Sequence, residues 1–160
     1  MADSSVSAKG TPESQLLFLI EKFDAKNQQL IRSVRAALRK RFPTANELAY
    51  DYNHSVVIAY SPSDRGIEAI VSISLLADGV RLYFMNGPQL PDPKRLLLGS
   101  AKQVRFVQVK SASELAHADV EALIAAAMDR AKVALPSEGR GKLIIRGAAA
   151  KPRARRGPKK

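Results

Sequence analysis

Cysteine is absent from the 160 residues, which excludes disulfides, thiol nucleophiles, zinc–thiolate sites and cysteine-ligated iron–sulfur clusters. Histidine is nearly absent, with only His54 and His117, and they are too far apart in sequence to form a metal-type spacing. No apolar run approaches the roughly 18 residues that would suggest a membrane span. The opening "MADSSVSAKGTPES" lacks a basic segment followed by an apolar one, so no signal peptide is read there. Acidic side chains are the scarce charge, 15 against 26 cations, for a net +11. These absences predict a soluble, cytoplasmic chain without a membrane partner. Its 160 residues suffice for one domain with a real core.

Motifs for common chemistry are also missing. No G-x-S-x-G elbow or S-x-x-K step places a serine beside a base, and no Asp/Glu pair has a spacing that demands general acid–base work. The segment "GSAK" has too few glycines for a phosphate loop, and Lys102 leads into a strand pattern where such a loop needs a helix. His54 reads as an exposed turn residue and His117 as a helix flank. No catalytic residue and no metal ligand is assigned from the sequence, and a catalytic role is not expected.

What is present is patterning. Residues 1–10 read as a disordered leader. Thr11-Pro12 is a helix start signal, followed by Leu16, Leu19, Ile20 and Phe23 at helical spacing. Asp24 can cap a second helix carrying Leu30, Ile31, Val34, Ala37 and Leu38, which Phe42-Pro43 ends. Strand patterns follow at 47–52 and 55–60 around an Asn53-His54 turn. Another runs from Ile67 to Leu75, with Ile67, Ala69, Val71, Ile73 and Leu75 inward and Glu68, Ser72 and Ser74 outward. Asp78-Gly79 is a hairpin signal, after which Val80, Leu82 and Phe84 oppose Arg81 and Tyr83. A further strand covers 103–110. Val120, Leu123, Ile124, Ala127, Met128 and Ala131 then form a helical stripe ending near Leu135-Pro136. This order predicts an α+β domain over 11–135, with an antiparallel sheet of about five strands and helices on one face. No internal repeat is present.

The positive charge is uneven. From Pro136 onward nine cations (Arg140, Lys142, Arg146, Lys151, Arg153, Arg155, Arg156, Lys159, Lys160) face one acid, Glu138, which gives +8 and leaves +3 for residues 1–135. The tail 136–160 reads as largely disordered, although "KLIIR" is apolar enough to dock or to add an edge strand. Such a tail suits polyanions, non-specific nucleic acid among them, through counterion release. It has no aromatic residue for base stacking. Residues 25–42 add six cations and no acid, with Arg32, Arg35 and Arg39 as a stripe opposite the apolar one, read mainly as a solvated face.

One stretch, "LPDPKRLLLGSAKQVRFVQV", carries a looser anion-site candidate in Lys94, Arg95, Lys102 and Arg105. As structure it reads as a crossover: prolines stiffen it, residues 96–98 plug the core edge, and Gly99 permits a turn. Its acidic-proline step, Leu-Leu-x-Gly turn and spaced Lys and Arg, here Asp92, Pro93, Leu97, Leu98, Gly99, Lys102 and Arg105, resemble the signature of the YdhG-like family of small bacterial domains. The likeness covers roughly residues 14–133. It implies a frataxin-like α/β sandwich and a binding or adaptor module, with an intracellular iron chaperone, and hence iron as ligand, as the alternative. Frataxin-type iron binding uses an acidic ridge, whereas Glu13, Glu21 and Asp24 here precede a strongly basic stretch, so no iron ligand is transferred to this chain.

Overall fold

The computed structural model describes residues 10–146. Helix α1 (Pro12–Ile20) starts where Thr11 Oγ1 accepts the Ser14 amide at 3.1 Å, and it buries Leu16 and Ile20. Asp24 restarts the chain as α2 (Ala25–Arg41), its carboxylate accepting from the Asn27 amide at 2.9 Å. An aspartate here serves twice, as a cap acceptor and as a charge at the positive helix end. The expected break near Asp24 is therefore present. Helix α2 buries Ile31, Val34 and Leu38 and stops at Phe42, before Pro43.

Strands β1 (Asn46–Tyr52), β2 (Ser55–Ser61), β3 (Val71–Leu76), β4 (Gly79–Phe84) and β5 (Arg105–Val109) follow, then α3 (Ala118–Asp129) and β6 (Leu143–Ile145). The sheet order is β5-β4-β3-β2-β1-β6. The first five strands pair antiparallel in sequence order, and β6 joins β1 in parallel. Among the described residues the fold is thus α+β, with three α-helices and a mixed sheet of six strands.

The all-antiparallel sheet of about five strands is corrected by β6. Residues 143–145 add the edge strand that "KLIIR" allowed, past the expected domain end at 135. Its entry is tight: a Cβ at Gly141 would overlap the Ala45 carbonyl, and the Gly141 amide donates to Pro43 O at 3.0 Å. Lys142 N then bonds Asn46 Oδ1 at 2.9 Å, Glu47 N bonds Lys142 O at 2.8 Å, and Arg146 N bonds Ala49 O at 2.8 Å.

Two other boundaries move. Strand β3 begins at Val71, because residues 66–68 form a 3₁₀ turn. Gly66 sits where any Cβ would meet the Tyr50 hydroxyl, and this turn throws Ile67 outward, 78% exposed. Helix α3 ends at Asp129, six residues short of Leu135, with Arg130 as its cap.

The sheet faces differ. Ala49, Ile58, Tyr60, Val71, Ile73, Leu82 and Phe84 meet the helices in the main core. On the other face Leu48, Ala59 and Ala69 make a small second cluster with Tyr50 and Ile144 beneath residues 62–70. Ser72 and Ser74, expected to be solvated, are buried on this outer face, so longer neighbours close over them.

Candidate functional site

Half of the cations on the basic helix are tied down: Arg35, Arg39 and Arg41 have acidic partners, whereas Lys26, Arg32 and Lys40 are exposed. Arg35, only 12% exposed at its side chain, reaches Glu47 on β1 with both Nε and Nη2 at 2.8 Å. It also bonds Glu13 on α1 at 2.9 and 2.5 Å. Tyr60 on β2 donates its hydroxyl to Glu47 Oε2 at 2.8 Å, and Arg39 lies 3.4 Å from Glu13 and 3.6 Å from Glu47. Burial works against the Arg35 charge, yet the hydrogen bonds it donates to Glu13 and Glu47, with their charges, outweigh it and hold its pKa above the arginine range. Burial first, then the Glu47 charge, keeps the Tyr60 hydroxyl protonated well above the ordinary tyrosine value. The Glu13 carboxyl is held below its ordinary value, mainly by its bond to Arg35. Arg41 is occupied by Glu121 of α3 at 2.8 and 3.0 Å. These groups tie α1 and α2 to the sheet, with Glu47, Tyr60 and Arg35 satisfying one another in the interior and Glu13 and Arg39 half exposed at its rim. The solvated-stripe reading is corrected at Arg35. A sequence signal existed, since Glu47 sits at an inward position of β1.

The four anion candidates have separate surroundings. Lys94 stands 3.9 Å from Asp119 at the start of α3. Arg95 and Lys102 are exposed, the former at φ 56°. Arg105 spends its guanidinium on the carbonyls of Ala101 and, at 2.9 Å, Val104, while its stem packs against Gly87. None of the four lines either large cleft of the fold. The stretch around them works as a crossover: Asp92 accepts the amides of Leu96 and Leu97 at 2.8 and 2.9 Å, and Gly99 adopts φ 106°. Leu96 and Leu97 pack on the core as expected, whereas Leu98 lies 49% exposed. Its backbone pairs with Phe106 along the outer edge of β5, which shields a strand edge.

His54 is exposed in the β1–β2 turn beside Asn53. His117 caps α3, its Nδ1 accepting from Asp119 N at 3.3 Å. Among the described residues no group of three or more His, Asp or Glu side chains could hold a metal ion, and no helix is long and apolar enough to cross a membrane. Of the tail cations, Arg140, Lys142 and Arg146 flank β6, and Arg146 donates to Asp64 O. Lys151, Arg153, Arg155, Arg156, Lys159 and Lys160 lie outside the described residues, as does most of the leader.

The outer sheet face gathers residues that the sequence left scattered. Register aligns Tyr83 with Phe106 and Arg81 with Gln108. The Tyr83 and Phe106 rings lie 5.4 Å apart, and the Arg81 guanidinium sits 4.6 Å above Phe106. Across the sheet, Tyr50 and Tyr52 stack at 6.0 Å, with Tyr52 44% exposed. Between these two aromatic pairs the same face carries small and apolar side chains, Val57 and Ala59 of β2 and Ser72, Ser74 and Leu76 of β3 among them. The face therefore offers ring surfaces, a guanidinium plane and few carboxylates. Sequence alternation placed Tyr83 outward, but only the strand register joins it to Phe106 and sets Tyr50 and Tyr52 opposite. No family model, curated protein or solved structure matches the chain.

Proposed function

We propose that this chain is a cytoplasmic, non-catalytic binding module of the YdhG-like, frataxin-like kind that associates with single-stranded nucleic acid. The observation that carries the reading is the outer sheet face, where Tyr52, Tyr83, Phe106 and Arg81 stand away from the helices. Bases stack on aromatic rings and on arginine planes without sequence preference. The face lies on the sheet that ends in β6, and the chain after residue 146 holds six further cations and no acid. Phosphates would be gathered by that tail, and bases by rings that the tail itself lacks. The iron alternative draws no support from the donor set, since carboxylates such as Glu13 and Glu47 are committed to Arg35.

Fluorescence anisotropy with a labelled oligothymidylate tests this. Tyr52→Ala and Phe106→Ala should each weaken binding by about 1–3 kcal/mol, the usual worth of one stacked base. Wild-type affinity in both variants, or equal affinity for duplex and single strand, would reject the stacking surface.

A further inference from the structure

At one end of the sandwich lies a cleft of about 420 Å³ that the nucleic-acid reading does not use. Three segments build most of it, the 3₁₀ turn with Ile67, the start of the crossover with Asn86 and Leu90, and the last turn of α3 with the residues that follow it, Ala127 to Val133, and Gln103 completes the lining. Its size falls within the range of small-molecule sites. Its floor includes the buried Ile70 and Leu90, and its lip the exposed Ile67 and Val133. No aromatic side chain lines it, and Met85 supplies an adaptable wall.

Charge gives the cleft polarity. Arg130 and Lys132 stand on the lining, and neither has a carboxylate within 4.0 Å among the described residues. The one acid of the lining, Glu68, is engaged by Ser63 Oγ at 2.6 Å and by Arg65 at 3.4 Å. The C-terminal end of α3 contributes about half a negative charge, which two unit cations outweigh. Arg35, Arg41 and Arg81 have acidic partners, and Arg32 and Lys102 are exposed cations outside this cleft; Arg130 and Lys132 differ from both groups in lining a cleft with a buried aliphatic floor.

From these features we infer that the cleft binds a linear aliphatic carboxylate, its chain on Ile70 and Leu90 and its headgroup at Arg130 and Lys132. Aliphatic walls favour an alkyl chain over a ring system, and the paired cations favour an anion over an alcohol. The crossover that marks the family resemblance would then act as one wall of the site, through Leu90 and Gln103.

Isothermal titration calorimetry of the full chain with hexanoate, octanoate and decanoate below their micellar concentrations tests the inference. Affinity should rise about fourfold per added methylene, from the transfer free energy of one CH₂, and decanol should bind more weakly than decanoate. Ile67→Asp changes a largely exposed side chain, so the fold should persist while decanoate binding drops at least tenfold. Arg130→Ser with Lys132→Ser should erase the preference of decanoate over decanol. No saturable binding, affinity independent of chain length, or unchanged binding in the folded Ile67→Asp protein would overturn the site.

Discussion

The cations of α2 and those at the ends of the fold look alike in sequence and behave differently in space. Arg35, Arg39 and Arg41 are spent on Glu13, Glu47 and Glu121, drawn from three other elements. Arg130, Lys132 and the basic residues after β6 have no such acids nearby in the sequence beyond Asp129 and Glu138. A count of charges therefore misjudges which part of the molecule meets an anion. Arg35, Arg39 and Arg41 hold the fold, whereas Arg130 and Lys132, with no carboxylate within 4.0 Å among the described residues, are where an anion is expected.

The sharpest way to break this contrast is Glu47→Ala. It removes the buried acceptor of the Tyr60 hydroxyl and of Arg35 Nε, leaving Arg35 with only the half-exposed Glu13, and should cost about 3 kcal/mol in urea unfolding. The double change Arg35→Met with Glu47→Leu should cost clearly less than Glu47→Ala, because no charge is left buried alone. Asp92→Ala removes the acceptor of two crossover amides and should cost about 2 kcal/mol by the same measurement. It should leave the α1–α2 clamp intact.

A smaller effect concerns pH. The folded-state pKa of Glu13 is depressed by Arg35, so its contribution is present above the ordinary glutamate value. It is lost as pH falls from that value through the lower folded one. The urea midpoint should drop across this acidic window, and Glu13→Gln should flatten the drop. Glu13 is half exposed, so the change is modest.

Local signals were legible where neighbours in sequence decide the outcome. Thr11 and Asp24 cap the helices, Asn53-His54 turns the first hairpin, the second turns at Ala77-Asp78, one residue before the expected Asp78-Gly79, and alternation placed Val80, Leu82 and Phe84 inward. Long-range pairing was not legible. Glu47 meets an arginine from a different element, and β6 crosses nearly a hundred residues to lie beside β1. Ile67 fitted the alternation of β3, but Tyr50 sits over Gly66 and forces a turn that no local pattern announces. The aromatic face needed five strands, β1 to β5, in register before it existed as a surface.

The most direct test of the account is the salt dependence of oligothymidylate binding by the full chain and by the chain ending at residue 146. Removing six cations should reduce the slope of log affinity against log salt by about 4, while Tyr52→Ala should lower affinity and leave the slope unchanged. Equal slopes for the two chains, or no binding by either at low salt, would contradict it.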